Sequence, residues 1–432
     1  MESVLTAERG PIRSLHGPPR RSRGVDSSLR VGYHTDVTRS GSVKTAARAF
    51  AILLPSLATT LLHAGAPEYK NVPHGRIETI NGYRVLSLDG TPEEMGTACG
   101  KLLGETIRKV VKALVTDGFG SDPEAYRNIL AGSMTMEKFQ PKEYLAELRA
   151  LAAAANVPYQ DLLMLQYFGD VRRAIVGPGS ARMCTSFAIL PPWTQGNTCI
   201  VGRNLDYFDE GVSEYAAILA YYHPTGKTPF VTVTWAGIIN GWTLLNTKGI
   251  VVSNNTAFGS RSDSLEGIST CFLLRYVVEN SASVEEGIKT VQRAPRTCGT
   301  NMLIASGNPP DAVILEFDHA AVKVRRPREG FVGAANGFLD LYRDETAPYY
   351  GRIEVAYNLV QKLKGSITIA DNIAGAAGVP ISSMNLHSAM IDATNLRLRI
   401  AMGGIPACKR AYRAFRLTAA GIASDEHPKS GN

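Results

Sequence analysis

The sequence predicts an α+β fold in which two mainly antiparallel β-sheets are covered by helices on their outer sides. Before Cys184 the apolar residues mostly recur at helical spacing, and after it they form short runs of β-branched and aromatic residues separated by turns. A pair of helices, predicted within residues 269–293, interrupts these runs before the strands return. Strands, helices and strands again favour two sheets with helices outside them.

The first predicted helix begins after Thr91. Thr91 is a suitable N-cap, Pro92 suits the first helical position, and Glu94 completes a capping box. Glycine then recurs at every fourth position, at Gly96, Gly100 and Gly104. This glycine ridge predicts the close approach of a second backbone.

Two further helices are predicted around 141–171, separated by residues 156–158. The runs after Cys184 (CTSFAIL, TCIVGRNL, AAILAYYH, FVTVTW and GIVVSNN) are interpreted as one antiparallel meander. The helix pair has a second predicted capping box at Ser283 and Glu286. Four strands (NMLIASG, AVILEFD, AVKVRRP and FVGAANGF), a helix around 355–363 and a hairpin at 388–403 follow.

The charge of the chain is concentrated at its N-terminus. The formal net charge is +7, of which residues 1–48 carry +5, so the remainder is close to neutral. A near-neutral body lacks the basic face of a nucleic-acid-binding protein, and we expect no nucleic-acid partner.

The first 66 residues are predicted to lie outside the fold, as a basic leader (1–42) followed by a signal peptide (43–66). Residues 1–42 are predicted to be disordered, and residues 43–66 have the basic, apolar and Ala-Gly-Ala order of a secretory signal peptide. We expect cleavage after Ala66 and export to the periplasm or medium, with no stable membrane span because the apolar run is short. The alternatives are an uncleaved anchor or a chance apolar helix, and a translation start near Val43 would remove the leader.

The sequence predicts neither a metal nor an organic cofactor. The six cysteines form no C-x-x-C pair, the histidines form no H-E-x-x-H motif, and no glycine-rich phosphate loop is present. Disulfide pairing and oligomeric state are left open.

Cys184 begins a predicted strand, and the next strand ends with Arg203 and Asp206. A thiol needs a base to attack, and no histidine lies in a cysteine-protease signature. Cutting the Met183–Cys184 bond would give Cys184 an α-amine with a pKa of roughly 7.7–8.0, which can act as that base. Arg203 would then hold the substrate or thiolate, and Asp206 would orient the amine. The alternative is a small buried hydrophobic residue at a strand start.

The combination of MCTSFAI and GRNLDYF resembles the N-terminal nucleophile (Ntn) hydrolases. It is similar to the autoproteolytic acyl-CoA:6-aminopenicillanic acid acyltransferase-like family, related to the choloylglycine hydrolases. The resemblance runs from about Ile77 to Leu417 through GTPEEMGTACGKLLGETI, WAGIINGWTLLNTKGIVVSNNTAFG, FVGAANGF and LRLRIAMGGIPACKRAYRAF. It implies an αββα four-layer sandwich without a cofactor.

Carried over residue by residue, the resemblance makes Cys184 the nucleophile, with Arg203 and Asp206 in catalytic positions. Asn255 matches an oxyanion-hole asparagine, with its neighbour Asn254 as a rival, and a turn after the strand is the alternative for both. Asn336 matches the second family asparagine, a catalytic position that contacts the amine and the substrate. Arg352 is a candidate substrate-binding or structural cation, with a solvated helix residue as the alternative. The aromatic candidates for an acyl pocket, with core packing as the alternative, are Tyr207, Trp242, Phe258 and Phe338. The family histidine after Asn336 and a Ser-Arg pair in PISSMNLHS are absent, which argues against β-lactam substrates.

The resulting hypothesis is a self-cleaving amidohydrolase or acyltransferase acting on linear amide C–N bonds. Residues 67–183 would form a helical α part and residues 184–432 a β part, and the two would stay associated after cleavage. The substrate would be a small amide with an acyl chain. The alternatives are a choloylglycine, penicillin V or N-acyl amide hydrolase without transferase activity, or a catalytically dead binding protein.

Overall fold

The computed structural model describes residues 68–176, 184–342, 351–378 and 383–426. The predicted leader (1–42), the predicted signal peptide (43–66) and Met183 lie outside the described residues. Within the described ranges, no helix has both the length and the apolar character needed to cross a membrane.

The larger sheet has ten strands. They are β1 (Tyr69–Val72), β2 (Gly75–Ile80), β3 (Tyr83–Gly90), β6 (Ala217–Pro224), β7 (Phe230–Trp235), β8 (Thr243–Asn246), β9 (Ile250–Thr256), β10 (Thr300–Gly307), β11 (Pro310–Phe317) and β12 (Val322–Arg325). They are hydrogen-bonded in this order. Neighbours are antiparallel except for β3 and β6, which are parallel.

The smaller sheet has seven strands, all paired in antiparallel fashion. They are β4 (Thr185–Ile189), β5 (Ile200–Asp206), β13 (Phe331–Ala334), β14 (Asn385–Asp392), β15 (Arg397–Met402), β16 (Arg413–Thr418) and β17 (Gly421–Ser424). Their order is β13-β4-β5-β14-β15-β16-β17. β5 therefore lies in the middle, between β4 and β14.

The α-helices cover both outer faces. They are α1 (Pro92–Val111), α2 (Pro123–Glu137), α3 (Lys142–Ala155), α4 (Tyr159–Val176), α5 (Ser213–Ala216), α6 (Thr270–Asn280), α7 (Val284–Arg293), α8 (Gly351–Leu363) and α9 (Ile373–Gly378).

Three apolar clusters hold the layers together. One joins α1, α3, α4, α6 and α7 to the larger sheet, a second lies between the two sheets, and a third joins the smaller sheet to α8 and α9. Burial of apolar side chains between layers is the main force that stabilises such a stack. The layers follow each other as α, β, β and α, which confirms the predicted sandwich.

The glycine ridge of α1 packs against α3, as predicted. A Cβ atom on Gly96 would lie 2.2 Å from the carbonyl oxygen of Glu147, and one on Gly100 would lie 2.6 Å from the Cβ of Ala154. Only glycine permits this approach. The predicted capping box at the start of α1 is also present.

Two local predictions need correction. At the start of α7, Ser283 accepts from the N–H of Glu286, but the Glu286 carboxylate accepts from Ala282 rather than from Ser283. The predicted single meander is divided, because β4 and β5 belong to the smaller sheet and β6 to β9 to the larger one. Alternating side chains identify a strand but not its neighbour.

Candidate active site

Cys184 lies immediately before β4 and is 4% exposed. Its backbone N–H donates to Asn336 Oδ1 at 2.7 Å, and its carbonyl oxygen accepts from Arg352 Nη2 at 2.9 Å. The same Arg352 nitrogen donates to Asn336 Oδ1 at 3.2 Å. Side chains from distant parts of the chain therefore fix both backbone polar groups of Cys184.

Asp206 ends β5 and is completely buried. Arg352 Nη1 donates to its Oδ2 at 2.5 Å, and Asn385 Nδ2 donates to its Oδ1 at 2.7 Å. Burial raises the pKa of Asp206 to about 6, although Arg352 opposes this effect. Among the described residues, Asp206 forms its ion pair with Arg352 and not with Arg203, the other charged residue near the end of β5.

The alternation of β5 explains this difference. Residues three apart on a strand point to opposite faces of the sheet. Asp206 faces the side of α8, whereas Arg203 faces the other sheet, where its Nη1 donates to Asn255 Oδ1 at 2.5 Å and to Ser186 Oγ at 3.3 Å. Arg203 is fully buried, and its Nε and Nη2 have no hydrogen-bond partner among the described residues.

Asn254 and Asn255 are neighbours on β9, so their side chains point to opposite faces of the larger sheet. Asn255 accepts from Arg203 and Ser186 and donates to the carbonyl of Ala334 at 2.6 Å. Asn254 points into a cleft that Cys184 also lines, and its buried Oδ1 has no partner within the described chain. Asn254 therefore keeps an acceptor without a partner in the cleft, whereas the side-chain oxygen and nitrogen of Asn255 are both engaged within the fold.

The cleft lies between α4, the end of β5 and the end of β9. Its empty space is about 820 Å³ when the open mouth is included. The lining includes Cys184, Arg203, Leu205, Tyr207, Trp242 and Asn254, and α4 contributes Leu165, Gln166, Phe168, Gly169, Asp170 and Arg173. Much of this wall is apolar, as expected for a pocket that binds a small organic molecule.

Two predicted aromatic contacts do not reach this lining. Phe338 is 1% exposed and packs edge-on against Tyr342, and Phe258 is bridged to Gly337 by backbone pairing. Among the predicted aromatic contacts of the described chain, only Tyr207 and Trp242 lie in the cleft.

Three further polar residues of the site, Asn385, Asp170 and Arg173, were not predicted from the sequence. Asn385 bridges Asp206 and the N–H of Cys408, while Asp170 and Arg173 reach the cleft from α4. No local motif marks these residues, because their neighbours come from segments far away in the sequence.

The described residues contain no group of three histidine, cysteine or acidic side chains placed to hold a metal ion. All six cysteines lie within the described ranges, and no disulfide joins any of them.

Comparison with known proteins finds one matching family model and several distant relatives. Residues 193–368 match the family model of acyl-coenzyme A:6-aminopenicillanic acid acyl-transferase. Protein dcd1A of Dictyostelium discoideum is 22% identical over 360 residues, covering 75% of this chain and 79% of that protein. Protein dcd1B of the same organism is 23% identical over 282 residues, covering 59% of this chain and 54% of its own length.

Two solved structures are similar in part. The Caenorhabditis elegans N-acylethanolamine-hydrolyzing acid amidase ortholog is 17% identical with a TM-score of 0.41, covering 49% of this chain and 93% of its own. A mutant of conjugated bile acid hydrolase from Clostridium perfringens is 13% identical with a TM-score of 0.40, covering 57% of this chain and 97% of its own.

The segment matched by the family model contains Arg203, Asp206, both asparagines of β9, Asn336 and Arg352, while Cys184 lies just before it. Residues 193–368 thus match the model of the same family that the sequence resemblance indicated.

Proposed function

We propose that this protein is a self-cleaving Ntn enzyme in which Cys184 opens linear amide bonds of small acylated substrates. The observation that carries the proposal is the position of the Cys184 nitrogen. It is 2.7 Å from Asn336 Oδ1, at the edge of a cleft that Cys184 lines. After cleavage this nitrogen would be an amine, held beside its own thiol by an acceptor that is already in place.

Maturation would begin at the same residue. Cys184 Sγ attacks the carbonyl carbon of Met183, the C–N bond breaks, and the Cys184 nitrogen takes up a proton. Water then hydrolyses the resulting thioester, which leaves a carboxylate on Met183 and a free α-amine and thiol on Cys184. Arg352 supports this step because it binds the Cys184 carbonyl and Asp206 together.

In turnover the α-amine accepts the thiol proton, and the thiolate attacks the substrate carbonyl. The Asn254 amide donates to the oxyanion, a contact for which one donor contributes on the order of 2.7–4 kcal/mol. Arg203 lies in the same cleft with two donor nitrogens that have no partner within the described chain. The amine product leaves with the proton, and water or a second amine takes the acyl group from the thioester.

The α part would remain with the β part after cleavage. Helix α4 supplies six of the residues that line the cleft. Glu147 of α3 and Arg275 of α6 form a fully buried ion pair at 2.7 Å, and Arg275 also binds Glu279 at 2.7 Å. Separating the parts would break the Glu147–Arg275 pair and leave the buried Glu147 without its partner, which is costly.

The proposal is tested by substituting each of the three cysteines in the cleft, measuring amide hydrolysis, and following alkylation of the wild type. Cys184, Cys271 and Cys298 all line it. Cys184→Ala is expected to abolish hydrolysis of a linear N-acyl amide, whereas Cys271→Ala and Cys298→Ala should retain activity within about tenfold because they supply no reacting atom. Iodoacetamide should inactivate the enzyme in step with alkylation of Cys184. Full activity in Cys184→Ala would refute the proposal.

A further inference from the structure

A second arginine enters the cleft from α4. The side chain of Arg173 is 4% exposed, and its Nε donates to Asp263 Oδ2 at 2.8 Å. Its Nη1 and Nη2 are buried, and neither has a hydrogen-bond partner in the described part of the chain. Guanidinium donors buried in this state cost free energy unless a ligand satisfies them.

The surroundings of Arg173 hold this side chain in place. Asp263 accepts from Arg173 Nε through one oxygen and from the N–H of Gly299 through the other, at 2.9 Å. A Cβ atom at Gly299 would lie 2.7 Å from Arg173 Nη2. A glycine therefore provides the space in which the terminal nitrogens lie, and Asp263 sets their direction.

Asp170 also lines the cleft, but its carboxylate is hydrogen-bonded to Thr270 and Thr297 and not to Arg173. Asp170 accepts from the hydroxyls of Thr270 and Thr297 at 2.7 and 3.0 Å and from the Thr270 N–H at 3.1 Å. Burial raises the pKa of Asp170, and its hydrogen bonds to Thr270 and Thr297 oppose this shift. Asp170 thus leaves the terminal nitrogens of Arg173 available to an incoming anion.

The arginine lies a short way along the cleft from the oxyanion-binding candidate. Asn254 and Thr256 share one face of β9, about 7 Å apart along a strand. Thr256 is paired with Thr300, the residue after Gly299, and all of them line the cleft. The distance between the side chains of Asn254 and Arg173 is therefore on the order of 7–14 Å, which is one or two two-residue repeats of a strand.

We propose that Arg173 binds a carboxylate of the substrate, so that this enzyme prefers linear amides carrying an acidic group a few bonds from the scissile carbonyl. Two parallel N–H donors match a carboxylate, which makes arginine suited to this contact. This inference rests on the proposed amidase function and names the substrate class of that site.

Two pairs of substrates test the inference, and within each pair one member carries the acid and the other a neutral group. One pair places the acid on the amine side of the scissile bond and the other places it on the acyl side. N-octanoylglycine is compared with N-octanoylglycinamide, and the monobenzylamide of adipic acid with its methyl ester. In one pair the wild-type kcat/KM is expected to favour the acid by about 10- to 100-fold, the usual range for a hydrogen bond to a charged group. Equal rates within both pairs would overturn the Arg173 assignment but leave the amidase function standing.

Variants then connect the preference with the residue. Arg173→Gln should raise KM for the acid and bring the acid-to-neutral ratio of kcat/KM close to one, because the charged contact with the substrate is lost. Arg172→Gln is the matched control, since Arg172 stacks on Phe208 instead. If the preference survives in Arg173→Gln, Arg173 is not the anion site.

Arg173→Lys covers the case in which Arg173→Gln does not fold. It keeps the charge but loses the paired donors, so we expect a preference that is reduced but not abolished. A preference equal to that of the wild type in this variant would also overturn the proposal. Failure of the wild type to cleave any of the four amides would instead contradict the proposed amidase function.

Discussion

Asp206 and Arg352 form a buried ion pair at 2.5 Å, and the second terminal nitrogen of the same guanidinium binds the carbonyl of Cys184 at 2.9 Å. The pair therefore joins the smaller sheet, helix α8 and the proposed nucleophile. Any change at either residue is expected to act on Cys184 through its backbone.

Asp206→Asn should slow self-cleavage and turnover by roughly 100-fold or more, because the charge that orients Arg352 is lost. The melting temperature should change little, since a site that raises the pKa of a carboxyl to about 6 already favours a neutral group. The double variant with Arg352→Gln should be no slower than the slower single variant, because both residues act as one unit.

Glu147→Gln is the matched control for Asp206→Asn. Glu147 is another buried carboxyl whose pKa burial raises to about 6, but it lies between α3 and α6. The self-cleavage and turnover rates of Glu147→Gln should stay close to those of the wild type. Rates within about twofold of wild type in Asp206→Asn would reduce Asp206 to a packing role.

Asn254→Ala and Asn255→Ala should separate catalysis from stability. Asn254→Ala removes the oxyanion donor and should lower kcat by roughly 100- to 1,000-fold with little loss of stability. Asn255→Ala removes the amide oxygen that accepts from both Arg203 and Ser186 and should lower the free energy of unfolding by about 1–3 kcal/mol. Chemical denaturation and kinetics on both variants check this, and the opposite pattern would make Asn255 the oxyanion residue.

A plot of the self-cleavage rate against pH should change slope near pH 6, the pKa of Asp206. The uncut precursor has no free α-amine that could titrate, and Asp206 must be ionised to pair with Arg352. Below this pH the rate should fall more steeply than above it. The stability contribution of Asp206 runs the other way: its folded pKa is raised, so that contribution is present at low pH and is lost as pH rises from about 4 to 6. The break should persist in Glu147→Gln and vanish in Asp206→Asn; a break unchanged in Asp206→Asn would assign it to another group.

Export remains a proposal that N-terminal sequencing can test. When the chain is produced in an exporting bacterium, the signal-like order of residues 43–66 predicts a mature protein beginning at Pro67. A mature protein that still contains residues 49–66 would contradict cleavage at this position.

The sequence predicted the layers of the fold well because they depend on local periodicity. Alternating strands and amphipathic helices carry their own signal, as in β5 and α1. The grouping of strands into sheets was harder, since β4 and β5 read like the strands that follow them but pair with β13 and β14.

Within the candidate site, the difficult features were those that depend on direction and on distant neighbours. Arg203 and Asp206 stand three positions apart, and only the alternation of β5 shows that they face opposite layers. The partner of Asp206 comes from α8, about 146 residues away. Asn385 and Arg173 carry no motif, so only the fold reveals their contacts.

The most direct test is the intact mass of the purified wild type beside Cys184→Ala. We expect two wild-type fragments, divided between Met183 and Cys184, that stay associated, whereas Cys184→Ala should remain one inactive chain. Cys184→Ser should still cleave slowly, because a hydroxyl can make the same acyl shift. Cys184→Ala divided at the same bond would show that another protease cuts it. A wild type that hydrolyses amides as one uncut chain would contradict the α-amine as the catalytic base.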